Sequence, residues 1–135
     1  MNGFHLQILT PARMFFEDTV EALTFTTTDG EWTILAGHIP FSAPLVVGSI
    51  RICQDGTWRE AFQSEGFMEF DHEGAHVFVQ ACEWPEEIDA ARALQAEQRA
   101  RSRLSDPKNP VEVEWTRIAL TRAMRRLQIS HHKLQ

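Results

Sequence analysis

The chain has 135 residues, a formal net charge of −6 and 43% hydrophobic residues, which suits one globular domain or two small units sharing a chain. The N-terminus lacks a basic region before a long apolar run, and no segment approaches the ~18 apolar residues of a membrane span. We therefore expect neither a signal peptide nor a transmembrane helix. Two cysteines, Cys53 and Cys82, favour a reduced compartment, although a disulfide between them stays open.

Charge is distributed unevenly along the chain. Residues 1–84 contain three basic and twelve acidic side chains, whereas residues 85–135 contain ten basic and seven acidic ones. Such a break predicts two units with different partners. We place one domain at residues 1–84 and a second at residues 85–135.

The first 84 residues have the pattern of short strands. Alternating or β-branched runs are separated by turn signals such as "DG", "SEG" and "HEG". The runs are "FHLQIL", "TVEALTFTT", "WTIL", "LVVGSIRIC", "TWREAFQS", "GFMEFD" and "AHVFVQAC". Six or more strands at a spacing of roughly 8–12 residues indicate an antiparallel sandwich or barrel.

The last 51 residues have the pattern of two helices. Pro85 suits the first turn of a helix that continues to about Leu104. After "SDPKN", Asn109 is a candidate cap of a second helix, Pro110 its first residue and Glu112 the partner in a capping box. The fold class is therefore α+β, an antiparallel β-sandwich or barrel followed by an antiparallel two-helix hairpin.

The second helix extends to about Gln128, and its apolar stripe contains Trp115, Ile118, Ala119, Ala123 and Leu127. Both helices have narrow, alanine-rich stripes, so the hairpin has little core of its own. We expect it to be marginally stable unless docked, and hence a mobile element.

Several sequence blocks together resemble one family. The blocks "LTPARMFF", "TTTDGEWTILAGHIPFSAPLVVGSIRI", "SEGFMEF" and "EEIDAARALQAEQRA" resemble the epsilon subunit of the F-type ATP synthase, from about residue 4 to residue 129. The sequence departs from the family at Thr33, where glycine is usual, at Ala36, where proline is frequent, and at Glu65 within the family's "SGG".

The resemblance implies a non-catalytic subunit with a ten-stranded sandwich and a two-helix hairpin. The sandwich would dock on the gamma subunit and on the polar loops of the c-ring, coupling proton-driven rotation to ATP synthesis on the cytoplasmic face of the bacterial inner membrane. Membrane association would come only through the complex. The docking candidates are Glu31, toward the c-ring, His38 in the loop, and Ile39, Phe41 and Val46 as an apolar patch.

The resemblance also implies a regulatory ATP site on the folded-down hairpin, with no cofactor or metal required. The motif Ile/Leu-Asp-x-x-Arg-Ala is matched by Ile88, Asp89, Arg92 and Ala93. The other family positions are Glu83, Arg99, Arg122 and Arg126. Arg92 and Arg99 share a helix face, and Arg122 and Arg126 are adjacent on the second helix, so the hairpin could converge them on a triphosphate. Asp89 and Arg92 could instead form an intrahelical pair.

Three other interpretations of the basic hairpin stay open. Arginines such as Arg101, Arg103 and Arg125 suit a solvated helix face. The resemblance further implies an extended state that blocks ATP hydrolysis, in which a basic second helix meets an acidic loop of the catalytic beta subunit. The candidates for this contact are Arg117, Arg122, Arg125, Arg126 and Lys133. An arginine-rich nucleic-acid-binding or adaptor protein is the alternative function, which the acidic first domain disfavours. The sequence contains no P-loop, catalytic triad or clustered Cys/His ligands.

Overall fold

The structure, a computed structural model, describes residues 2–106 and 109–132, so the predicted partner-binding residue Lys133 lies outside it. Contacts divide the chain into two compact units, Met1–Glu83 and Trp84–Gln135. The first unit contains ten strands: β1 Phe4–Leu9, β2 Met14–Val20, β3 Ala22–Thr27, β4 Gly30–Leu35, β5 Phe41–Leu45, β6 Gly48–Gln54, β7 Thr57–Gln63, β8 Gly66–Asp71, β9 Gly74–Val79 and β10 Cys82–Glu83. The second unit contains a 3₁₀ turn, Pro85–Glu87, and two helices, α1 Ala90–Ser105 and α2 Pro110–His132. The predicted α+β class is confirmed.

The strands form two five-stranded sheets. One sheet has the order β2-β1-β9-β8-β5 and the other β10-β7-β6-β3-β4. Alternate side chains of each sheet are fully buried in the sandwich core, as the period-2 pattern predicts. The largest of them are Phe25, Phe62, Leu6, Ile8, Leu23, Ile34, Ile50, Ile52 and Met68. Both cysteines are buried as thiols, so the disulfide that the sequence left open is not formed.

Two of the predicted strands are each divided into two strands in the structure. The run "TVEALTFTT" is divided at Glu21 between β2 and β3, and "LVVGSIRIC" is divided between Leu45 and Gly48, where the chain passes from one sheet to the other. Alternation alone does not reveal these breaks, because both sides of each break are apolar and extended. β5 also contains Pro44, which is compatible with its position at a sheet edge.

A buried glutamine fixes the crossing from β5 to β6. Gln63 is fully buried, and its Nε2 donates to the carbonyls of Val46 at 2.6 Å and Thr26 at 2.9 Å. Its Oε1 accepts from the backbone N–H of Thr26 at 3.3 Å. Because each polar atom of the side chain is paired, this group can be buried without a large desolvation penalty.

The first helix begins later than predicted. Pro85 starts the 3₁₀ turn, and Ile88 then takes an extended conformation (φ −77°, ψ 125°) that interrupts helical geometry. Asp89 is the N-cap of α1, since its Oδ1 accepts from the backbone N–H of Arg92 at 3.0 Å. The predicted cap of α2 is confirmed, because Asn109 Oδ1 accepts from the N–H of Glu112 at 2.8 Å. α2 continues to His132, four residues beyond its predicted end.

The helices pack against each other through small side chains. Ala93 and Ala100 of α1 and Ala123 of α2 are buried, together with Ile129. The predicted stripe on α2 is therefore wrong at its first members: Trp115 is 73% exposed and Ile118 is 38% exposed. Alanine at the contact brings the two backbones close, which leaves bulky neighbours on the rim rather than in the seam.

Candidate functional site

Glu31 is an exposed residue of β4, held by neighbouring strands. Arg51 Nη2 donates to its Oε1 at 3.2 Å, and Ser49 Oγ donates to its Oε2 at 3.3 Å. Both partners belong to β6, two strands away in the same sheet. A surface ion pair of this kind adds little stability, so its effect is to fix where the carboxylate points.

Three docking candidates lie where the chain enters β5: His38 and Ile39 in the preceding loop, and Phe41 as the first residue of the strand. The His38 ring lies edge-on to Phe41 at 5.1 Å, and its Nδ1 is 2.8 Å from the Ile39 carbonyl. Phe41 stacks against Phe25 and Phe70, at centroid distances of 6.1 and 6.2 Å. Phe41 therefore anchors the end of the loop by packing on buried rings, whereas Ile39, 73% exposed, is presented to solvent next to the exposed His38.

The structure does not bring the five docking candidates into one patch. Val46 follows the far end of β5 from Phe41, ~16 Å away at the usual rise per strand residue. Its N–H donates to the Thr26 carbonyl at 3.2 Å, and Thr26 is also the register partner of Glu31. The candidates thus form two groups, one around the β4–β5 loop and one around Thr26.

An apolar row on the outer face of a sheet escaped the sequence prediction. Register pairs align one outward side chain from each strand of the β2-β1-β9-β8-β5 sheet. In order across the sheet, this outer apolar row consists of Met14, Leu9, Phe78, Phe67 and Pro44. Phe67 and Phe78 stack at 5.1 Å and are 48% and 37% exposed.

The sequences of β8 and β9 already indicated the outer apolar row. In "GFMEFD" and "GAHVFV", apolar residues occupy both parities: Met68 and Val77 are buried, and their neighbours Phe67 and Phe78 point outward. A strand that is apolar on both faces has a second surface to cover.

The structure assigns structural roles to three members of the predicted ATP motif. The Asp89 carboxylate caps α1 through the backbone of Arg92, rather than pairing with its side chain. Ile88 and Ala93 are each 5% exposed and so serve packing. Glu83 is the half-buried last residue of β10 and belongs to the sandwich unit, whereas the other seven candidates belong to the helical unit.

The four predicted phosphate-binding arginines are divided between the helices. Arg92 and Arg99 are exposed on α1, and Arg122 and Arg126 are half-buried on α2. Seven residues of helix correspond to ~10 Å between Arg92 and Arg99, and four correspond to ~6 Å between Arg122 and Arg126. This separation is compatible with a ligand lying along the hairpin.

A surface pocket of about 540 Å³ lies between the helices near their connection. Of the four predicted arginines, only Arg99 is among the described residues that line it, and it is joined by Arg103 and the exposed indole of Trp115. The pocket therefore does not collect the predicted set.

An outward apolar row on a sheet and a basic helix pair are features of a subunit that docks in a larger assembly, since extended apolar surface marks protein interfaces. Residues 3–85 match the family "ATP synthase, Delta/Epsilon chain, beta-sandwich domain", and residues 86–131 match "ATP synthase, Delta/Epsilon chain, long alpha-helix domain". The chain belongs to this ATP synthase delta/epsilon family, as its sequence blocks predicted. The prediction of a non-catalytic subunit is also confirmed.

Relatives of similar length cover nearly the whole chain. The ATP synthase epsilon chain of Caldanaerobacter subterraneus subsp. tengcongensis is 46% identical over 128 residues, 94% of this chain and 93% of the relative. That of Caldicellulosiruptor bescii is 45% identical over 130 residues, 96% of this chain and 95% of the relative.

The fold is also that of a chain in a solved mitochondrial assembly. A chain of the Euglena gracilis mitochondrial ATP synthase structure, which comprises OSCP, F1 and c-ring, superimposes with a TM-score of 0.81 at 22% identity, covering 100% of this chain and 83% of that one. Among the described residues, neither helix is long and apolar enough to cross a membrane.

Proposed function

We propose that this chain is a central-stalk subunit of a bacterial ATP synthase, which rotates with the gamma subunit and couples ion-driven rotation of the c-ring to ATP synthesis. Membership of the epsilon-chain family, over nearly the full length of its relatives, is the observation that carries this proposal. The subunit reaches the cytoplasmic face of the inner membrane through its partners. The sandwich domain, residues 1–84, docks on the rotor, and the hairpin, residues 85–135, regulates.

The outer apolar row is the proposed contact for gamma. It crosses all five strands of a rigid sheet, and its central pair, Phe67 and Phe78, is preorganised by stacking. Rigid aromatic side chains lose little entropy on binding and supply most of the energy at protein interfaces. Ile39 adds an apolar contact at the β4–β5 loop, and Glu31 offers an oriented carboxylate to a polar c-ring loop.

Co-purification with gamma tests this contact. The double variant Phe67→Ala/Phe78→Ala should reduce the amount of chain retained by immobilised gamma, because the centre of the row is removed. Trp58→Ala, which removes a 50% exposed indole from the other sheet, is the matched control and should be retained normally. Loss of binding in the Trp58 variant alone would place gamma on the opposite sheet and overturn the assignment.

The folded hairpin is the proposed site of a regulatory ATP. Support comes from the match of Ile88–Ala93 to the family motif and from the two arginine pairs, one on each of two contacting helices. Guanidinium groups bind phosphate oxygens in bidentate, charge-assisted fashion. A ligand that bridges both helices favours the closed hairpin by its differential affinity for that state.

Calorimetric titration with ATP tests the nucleotide site. Arg92→Ala and Arg126→Ala, one on each helix, should each reduce the affinity. Arg101→Ala is the matched control, since that guanidinium contacts Glu97 and Met124 instead. No heat at millimolar ATP, or equal affinity in all three variants, would remove ATP from the proposal.

The opened hairpin is the proposed inhibitor of ATP hydrolysis. Its excess of basic over acidic side chains suits an acidic loop of the beta subunit. In a reconstituted complex, Arg117→Glu with Arg125→Glu should raise ATP hydrolysis relative to the unmodified subunit. An unchanged rate, with the variant still bound to the complex, would contradict this role.

A further inference from the structure

A mixed donor cluster lies at the turn between β8 and β9. Asp71, Glu73 and His76 each offer one ligand atom, and these atoms lie within 4.8 Å of one another. One imidazole nitrogen and two carboxylate oxygens form a donor set suited to Zn²⁺ and related divalent ions. The sequence prediction overlooked this set, because its ligands are spread over six residues of a hairpin and resemble ordinary exposed polar residues.

The tautomer of His76 is set by a relay that crosses the sheet. Gln7 Nε2 donates to Glu17 Oε2 at 2.8 Å, so the Gln7 Oε1 faces His76 Nδ1, at 3.0 Å. An amide oxygen only accepts, and Nδ1 therefore carries a proton. Neutral His76 consequently has its lone pair on Nε2. A hydrogen bond that orients a histidine in this way is the usual support of a metal-ligating imidazole.

A carboxylate lies close to the Nε2 atom of His76. Nε2 lies 3.8 Å from Asp71 Oδ1, too far for a direct hydrogen bond. Two ligand atoms bound to one tetrahedral ion at ~2.1 Å are separated by ~3.4 Å. The distance between His76 Nε2 and Asp71 Oδ1 therefore needs to shorten only slightly for both atoms to bind one small cation.

The third donor, the Glu73 carboxylate, lies beside this pair, with its ligand atom within 4.8 Å of the other two. The backbone N–H of Glu73 donates to Asp71 Oδ1 at 2.8 Å, which fixes the turn. His72 Nε2 lies 3.9 Å from Glu73 Oε1 at the exposed rim. The turn also borders an open pocket of about 480 Å³, lined in part by His5 and His38, which gives an ion access from solvent.

We propose that Asp71, Glu73 and His76 form a binding site for a divalent transition-metal ion of the zinc class. Water or His72 completes the coordination, and Gln7 is a positioning residue that acts through His76. Since the ligands come together only in the folded sandwich, the ion stabilises the native state by mass action. The site lies on the same face of the sheet as the outer apolar row, since His76 and Phe78 are two residues apart on β9, but it shares no residue with that row or with the nucleotide candidates.

Calorimetric titration of the full chain with zinc sulfate near neutral pH tests the site. His131→Ala/His132→Ala serves as the background, so that tail imidazoles do not contribute. In this background we expect one zinc per chain and a rise in the unfolding midpoint. Both His76→Ala and Asp71→Asn should weaken zinc by more than about tenfold, and Gln7→Ala by about tenfold.

A pocket-lining control and a spectroscopic readout separate a built site from an adventitious one. His38→Ala removes an imidazole from the same pocket and should retain full affinity. Cobalt absorption in the visible range should report four-coordinate binding that Asp71→Asn abolishes. Failure to saturate at millimolar zinc overturns the proposal, and so does a zinc affinity in His76→Ala and Asp71→Asn that equals the affinity of the background protein. If circular dichroism shows that His76→Ala is misfolded, the nearly isosteric Asp71→Asn decides the outcome.

Discussion

The sandwich and the hairpin hold themselves together by different means. In the sandwich, large side chains such as Phe25 and Phe62 are fully buried, and a buried glutamine ties the strands at the sheet crossing. In the hairpin, the contact consists mainly of alanines, and the largest side chain, Trp115, is 73% exposed. Buried apolar area is the main source of stability, so we expect a rigid sandwich and a weakly held helix pair. This contrast supports the proposal that the sandwich is the docking platform and the hairpin the regulatory element.

The largest expected effect is on the free energy of unfolding, and two aromatic truncations, one in each unit, measure it. Phe25→Ala should lower the free energy of unfolding by about 3–5 kcal/mol, since it removes a fully buried ring and leaves a cavity. Trp115→Ala should change stability by less than about 0.5 kcal/mol, because the indole is mostly in solvent. Urea unfolding followed by far-UV circular dichroism measures both. A comparable loss in the two variants would show that the hairpin has a substantial core.

A smaller effect concerns the start of α1. Asp89→Ala removes the acceptor for the Arg92 N–H and should destabilise the hairpin by about 1 kcal/mol. Asp89→Asn keeps an N-cap oxygen and is the matched control. Amide hydrogen exchange in the first turns of α1 should accelerate only in the alanine variant. If asparagine accelerates exchange as strongly, the negative charge at the helix terminus matters more than the cap.

The smallest expected effect is a pH dependence on the sandwich surface. Hydrogen bonds from Gln7 and then His5 hold the pKa of Glu17 below its ordinary value of 4.5. A carboxyl whose folded-state pKa is depressed stabilises the fold above its unfolded value, and this contribution is lost as pH falls through the folded-state pKa. Glu17→Gln should therefore lower the unfolding midpoint slightly at pH values above about 4.5, but not in stronger acid.

The control for that measurement is Glu114→Gln, which removes one exposed carboxylate from α2. Its midpoint should follow the unmodified protein across the acid range. An effect of Glu17→Gln that persists unchanged in strong acid would contradict the assigned cause, because the protonated carboxyl no longer differs in charge from the amide.

The sequence predicted most elements but not all of their boundaries. Alternation and turn residues marked the sandwich strands, and Asn109 and Pro110 marked the start of α2 correctly. The break near Val46 was missed because its cause, the hydrogen bonds to Gln63 and Thr26, comes from residues distant in the chain. The placement of Trp115 was wrong, since the helix contact follows the smallest side chains rather than the most apolar ones.

For the candidate site, the sequence identified the family and the residue types. It also placed the arginines on two helices and predicted Ile39 as part of an apolar docking patch. It could not show that Asp89 and Ala93 have structural roles, because capping and burial depend on where α1 actually begins.

By itself, the sequence determined what is local: strand periodicity, the cap of the second helix, the change from acidic to basic charge, and the blocks that identify the family. Only the tertiary structure decided which distant residues became neighbours. Leu9 is placed beside Phe78 by parallel pairing of β1 and β9, and the same pairing sets Gln7 against His76. The physical reason is register. A one-residue shift of either strand would turn every side chain to the opposite face, so the alternation within a strand excludes it. A two-residue shift keeps both faces, and the partner strands decide between such registers.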